Sequence, residues 1–167
     1  MLILLVGPKG SGKSYIGRLL QSALGIHFCP VEPLWMAYHA ACKEAGKEPT
    51  IAEGIAVVHP LIAKALAEHT HVSVETTGAS AEILTDLLAL GHDAGLLLVR
   101  LQVPLETCLE RIARRDQRQQ IPLATEAIKE VYRLSVALDL PVDVVIEHCE
   151  FGDERIVRLV DSALRGR

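Results

Sequence analysis

A single stretch, Gly7-Pro8-Lys9-Gly10-Ser11-Gly12-Lys13-Ser14, restricts this chain more than any other. It fits G-x-x-x-x-G-K-[ST], and its flanks are those the pattern needs to act as a phosphate cradle. Before it, Leu2-Ile3-Leu4-Leu5-Val6 is an unbroken apolar run, the signature of a strand buried on both faces. After it, Tyr15, Ile16, Leu19, Leu20 and Ala23 recur at helical spacing, so the loop closes into a helix N-terminus. Open backbone N–H groups and the positive end of the helix dipole meet an anion there. Gly7, Gly10 and Gly12 allow the backbone to wrap closely round phosphate oxygens, with Lys9 and Ser11 between them. Lys13 is expected to reach the terminal phosphates, and the Ser14 hydroxyl to hold Mg²⁺. The pattern implies a nucleoside triphosphate ligand.

Around this stretch the sequence reads as alternating strands and helices. Strands are expected at 2–6, 27–30, 72–76, 96–103 and 142–147. Helical patterns separate them, which argues an α/β fold with a parallel sheet covered by helices on both sides. Gly25 is placed to cap the first helix. Helices are expected at 34–45 and 51–68, the second broken or kinked at Pro60. A helix over 80–90 should stop near Gly91, another should start at Pro104, and a third should cover 125–139. Asp153 is read as the cap of a final amphipathic helix. The 167 residues suit one domain, 1–167, with residues 31–70 as an acceptor-binding segment and 111–124 as a lid.

Open α/β sheets collect ligands beyond the carboxyl ends of their strands. Glu75 ends the third strand in Glu75-Thr76-Thr77-Gly78, next to the expected phosphate loop. A carboxylate there can hold Mg²⁺ through water, or accept a proton from an attacking hydroxyl. Arg111, Arg114, Arg115 and Arg118 form a local positive cluster. Arginines of this kind stabilise the charge that spreads over a transferring phosphoryl group. Arg111 and Arg115 share a helix face, and Arg118 falls in the polar loop that follows. Glu32 could grip an acceptor hydroxyl, and Trp35, the only tryptophan, could stack on a planar acceptor or pack internally. Nothing marks His59, His92 or His148.

Charge and composition limit the partners. A net charge of -4 gives no global field that would attract nucleic acid. Cys29, Cys42, Cys108 and Cys149 are scattered, without zinc spacing, as free thiols of a reducing compartment would be. No apolar span approaches membrane-helix length, so a cytoplasmic protein is expected, monomeric or homodimeric.

The pattern resembles the nucleotide-kinase-like branch of P-loop phosphotransferases, which includes adenylate, shikimate and gluconate kinases. The likeness runs through the loop at 7–14, the helical segment at 31–70, Glu75, and Arg111-Ile112-Ala113-Arg114-Arg115 before the lid. It implies a three-layer α/β/α fold with a five-stranded sheet ordered 2-3-1-4-5. It also implies ATP and Mg²⁺, with Arg111 against the adenine and Arg115 or Arg118 at the transferred phosphate. Gly78 would border the acceptor, and the loop after Val145-Ile146-Glu147 the base. Shikimate is a poor fit as acceptor, because Ile121-Pro122-Leu123-Ala124 lacks the arginine that shikimate kinases carry before their lid segment. The expected reaction is γ-phosphate transfer from ATP to a small hydroxyl- or phosphate-bearing molecule. Two alternatives stand beside it. One is a polynucleotide or nucleoside 5′-hydroxyl kinase, which the arginine cluster permits. The other is a regulatory nucleotide switch, since Glu75-x-x-Gly78 distantly echoes the Asp-x-x-Gly of GTPases, although no Asn-Lys-x-Asp motif is present.

Overall fold

The computed structural model describes residues 1–114, 121, 123–147 and 152–167. Its central strand, β1 (Leu2–Val6), has every side chain buried. Period-two alternation divides that strand between two cores. Leu2, Leu4 and Val6 face one side, where they meet Val58, Ile62 and Ala65 of α3 (Ile51–Glu68) and Leu84 and Leu87 of α4 (Ala81–Ala94). Ile3 and Leu5 face the other, against Ile16 and Leu20 of α1 (Lys13–Leu24) and Ile156 and Val160 of α7 (Asp153–Arg165). Each fully buried Leu or Ile contributes roughly 1.5–3 kcal/mol, so this strand anchors both layers.

The remaining strands are β2 (His27–Cys29), β3 (Val72–Thr76), β4 (Leu96–Gln102) and β5 (Val144–Glu147). All pair in parallel, in the order β2-β3-β1-β4-β5, as the resemblance implied. Register positions the site: Leu5 pairs with Glu75, and Val6 with Thr76. The ends of β1 and β3 are therefore level, and Gly7 N donates to Thr76 O at 3.2 Å. Glu75 shares the face of Leu5, the face covered by α1.

Between β2 and β3 lie α2 (Val31–Glu44) and α3. Tyr38 of α2 fastens the two: its hydroxyl accepts from Thr50 N at 2.9 Å and lies 3.0 Å from Glu53 Oε2. Thr50 caps α3 by accepting from Glu53 N. The last elements are α5 (Leu105–Arg114) and α6 (Thr125–Val136). Among the described residues no helix is long and apolar enough to cross a membrane.

Four local expectations need correction. α3 runs unbroken through Pro60. Pro60 and Ala56, whose carbonyl loses its helical donor, are both solvent-exposed, so water can serve that oxygen. α4 does not stop at Gly91, which is buried inside it; a Cβ there would come within 2.6 Å of Leu96 Cδ1. Close approach of helix to strand requires that glycine, and Gly95, at φ 82, ends the helix instead. Asp153 is the first residue of α7, not its cap, and its Oδ1 accepts from the Tyr15 hydroxyl at 2.6 Å. Finally, α2 begins at Val31, earlier than expected, because Pro30 and Pro33 are both compatible with a helix start.

Candidate functional site

The loop from Gly7 to Gly12 leaves β1 and enters α1 with two residues in the left-handed region, Gly10 at φ 83 and Gly12 at φ 100. A Cβ on Gly10 would also meet Cys108 O at 2.5 Å, so the loop lies directly on α5. α1 starts at Lys13 without a side-chain cap, which leaves its first turn free to receive an anion.

Lys13 is buried and its Nζ donates to two loop carbonyls, Gly7 O at 2.7 Å and Pro8 O at 2.8 Å. Burial lowers its pKa to about 8, with the nearby Glu75 carboxylate pulling partly the other way. A cation held this way is partly satisfied by neutral dipoles and would gain from a polyphosphate. One residue on, Ser14 Oγ donates to Glu75 Oε2 at 2.7 Å. That hydroxyl–carboxylate pair offers the hard oxygen donors that suit Mg²⁺. The donor set fits the ion, and the loop fits a polyphosphate. Ser11 Oγ adds a buried hydroxyl in the same loop, without a hydrogen-bond partner among the described residues.

A cleft of about 550 Å³ opens above these groups. It gathers Lys9, Gly10, Gly12, Lys13, Ser14, Glu75 and Arg111 with Glu32 and Trp35 of α2. Glu32 Oε1 accepts from Lys9 Nζ at 2.8 Å and from Ile121 N at 3.2 Å, joining α2, the loop and the segment after α5. Trp35 packs on Gly54 of α3 and shows its remaining face to the cleft. Arg111 Nη1 donates to Ser11 O at 3.0 Å. A second cavity, about 440 Å³, shares Gly12, Tyr15 and Arg111 with the first and continues toward Ile146 and Glu147 of β5.

Not every expected residue meets the cleft. Gly78 takes φ 72 in the turn after β3, where its neighbour is Leu138 rather than the cleft. Arg115 and Arg118 lie outside the described residues, as does Cys149. Arg114 pairs with Glu110 on the exposed side of α5. One cleft residue carries no short-range sequence signal: Asp86 of α4 lines the cleft, and its Oδ1 lies 2.7 Å from Nδ1 of His59 on α3. His69, which stacks on His27 at 4.0 Å, belongs to no metal cluster among the described residues.

A family model described as an AAA domain matches residues 2–135. No curated protein matches the chain by sequence. Among the solved structures that the fold resembles are several kinases. A shikimate kinase from Aquifex aeolicus is 24% identical, with 99% of this chain and 97% of that one aligned at a TM-score of 0.62. A gluconokinase from Sinorhizobium meliloti is 21% identical over 98% of this chain and 91% of that one, also at 0.62. An APS kinase from Mycobacterium tuberculosis, solved with AMPPNP and APS, is 17% identical over 98% and 96% at 0.59. At these identities the likeness establishes the P-loop kinase fold.

Proposed function

Since the chain belongs to the AAA-domain family, we propose that it is an ATP-dependent phosphotransferase acting on a small hydroxyl-bearing molecule. The observation that carries this reading is the Ser14–Glu75 hydrogen bond at 2.7 Å beside Lys13, at the mouth of one cleft. The 550 Å³ cleft extends from the phosphate loop to Trp35, Ile55 and Asp86, which leaves space for an acceptor beside the phosphates. The kinase identity of its structural neighbours supports the same reading.

In this reading the triphosphate lies along the Gly7–Ser14 loop and the base enters the second cavity, beside Arg111 and Glu147. Mg²⁺, with Ser14 and Glu75 as its donors, would neutralise phosphate charge. Lys13 leaves the two carbonyls for the terminal phosphates. The acceptor hydroxyl oxygen then bonds to the γ-phosphorus as the bond to the β–γ bridging oxygen breaks. ADP departs with that electron pair, and the hydroxyl proton passes to Glu75, the buried carboxylate of the cleft. Arg115 and Arg118 are proposed to close on the transferring group from the lid.

Removal of the Lys13 charge tests the proposal. Lys13→Ala should retain the fold and lose about 10³-fold or more of ATP-dependent transfer, read as ADP release with a mixture of hydroxylated metabolites. Undiminished transfer by that variant would refute the assignment.

A further inference from the structure

The charges around the acceptor cleft are unevenly committed. Among the described residues four cationic side chains line it: Lys9, Lys13, Arg18 and Arg111. Lys9 is held by Glu32, Lys13 by the two loop carbonyls, and Arg111 by Ser11 O. Arg18 is exposed on the second turn of α1. Facing them are three carboxylates, Glu32, Glu75 and Asp86. The rest of the lining is mostly apolar, and α2, α3 and α4 supply it through Trp35, Ile55, Val58, Ile62, Ile83 and Leu87. On this side the described residues contribute no lysine or arginine to the cleft.

Asp86 is the polar exception on that apolar wall. Its side chain is 22% exposed, and one carboxylate oxygen is taken by His59. Its second oxygen has no hydrogen-bond partner among the described residues. A half-buried carboxylate with an open oxygen, set in aliphatic surroundings, is a receptor for an O–H or N–H donor. It disfavours a carboxylate or phosphate placed beside that open oxygen, because α2, α3 and α4 bring no lysine or arginine to the cleft to offset the like charge.

We infer that the phosphoryl acceptor is an alcohol with an apolar, ring-sized body and no anionic group, and that Asp86, oriented by His59, hydrogen-bonds a second O–H or N–H of that molecule. The inference rests on the phosphotransferase reading and narrows it. Trp35 and the aliphatic wall take the body, Glu75 faces the reacting hydroxyl, and Asp86 selects for the distant donor. Phosphate-bearing acceptors are excluded, so the enzyme would act where a neutral alcohol first receives its phosphate.

Two panels of alcohols, matched in ring size, distinguish the outcomes. One holds neutral ring-bearing alcohols, nucleosides and aromatic alcohols among them; the other holds their carboxylated or phosphorylated counterparts. ADP release with Mg-ATP should show kcat/KM for the best neutral acceptor about 20-fold or more above its anionic counterpart. Asp86→Asn should raise the acceptor KM about tenfold, leaving kcat within about threefold and the KM for ATP unchanged. Asp86→Ala, which also removes the remaining acceptor oxygen, should raise the acceptor KM further. Stimulation by the anionic panel alone, or by neither, overturns the inference, and so does an acceptor KM unmoved in both variants. Thermal stabilisation by a non-hydrolysable ATP analogue, measured without acceptor, separates the two levels. Its absence removes the phosphotransferase reading itself, whereas binding with the wrong panel preference removes only the acceptor class.

Discussion

Lys13 concentrates the electrostatics of the site in one residue. In the free protein its pKa is lowered to about 8 by burial, while an unfolded lysine keeps 10.5. Its charge therefore opposes folding in full below about pH 8 and ceases to do so as pH rises toward 10.5. A polyphosphate on the loop reverses the balance by favouring the ammonium form. Nucleotide binding should thus take up little proton at pH 7 and about 0.9 proton at pH 9, with affinity falling as pH rises through 8. Titration calorimetry in two buffers of different ionisation enthalpy measures that uptake directly. Lys13→Arg, whose guanidinium stays charged throughout, should bind without it. Equal uptake in the two proteins would mean that another group carries the proton.

At the scale of elements, the acceptor wall depends on how closely α2 lies on α3. Gly54 sets that distance, because a Cβ there would come within 2.0 Å of Trp35 Cζ3. In a helix interior Gly→Ala gains about 1 kcal/mol from backbone entropy. Overpacking at a contact this short costs about 1–3 kcal/mol, so Gly54→Ala should be destabilised by roughly 1 kcal/mol in denaturant unfolding. Trp35 is the only tryptophan, and its displaced ring should report the change as red-shifted emission. Acceptor KM should rise while nucleotide affinity stays put. The same contact shows what could be read from the chain beforehand. The run Leu2–Val6 and the glycine-rich loop are local patterns, and β1, the loop and α1 formed where those patterns put them. Sheet order came only with the family resemblance. Pro60 and Gly91 were misread because their effect depends on which side of the helix meets solvent or a strand. His59 and Asp86 stand 27 positions apart and meet only because α3 packs on α4. No short-range signal encodes such a pair, and the residues that choose the acceptor are of this kind.

The whole molecule carries a net charge of -4, and three of the four described cations of its cleft, Lys9, Lys13 and Arg111, are held by internal partners. Those two facts separate a small-molecule enzyme from one that works on a nucleic-acid end. A protein that neutralises several phosphates of a strand releases their counterions, and it loses about 10³-fold or more in affinity between 50 and 200 mM salt. A neutral alcohol releases none. Its encounter with the cleft is not steered by the overall field, and salt can act only through ATP, which saturating Mg-ATP holds constant. Accordingly, kcat/KM for the acceptor at saturating Mg-ATP should change by less than about threefold over that salt range. The arginines beyond α5 do not alter this expectation if they close on the transferring phosphate, since that contact is made inside the assembled cleft and not with bulk polyanion. A loss of two or three decades would instead require an extended run of phosphates on the protein surface, and the 5′-hydroxyl kinase reading would then replace the one proposed.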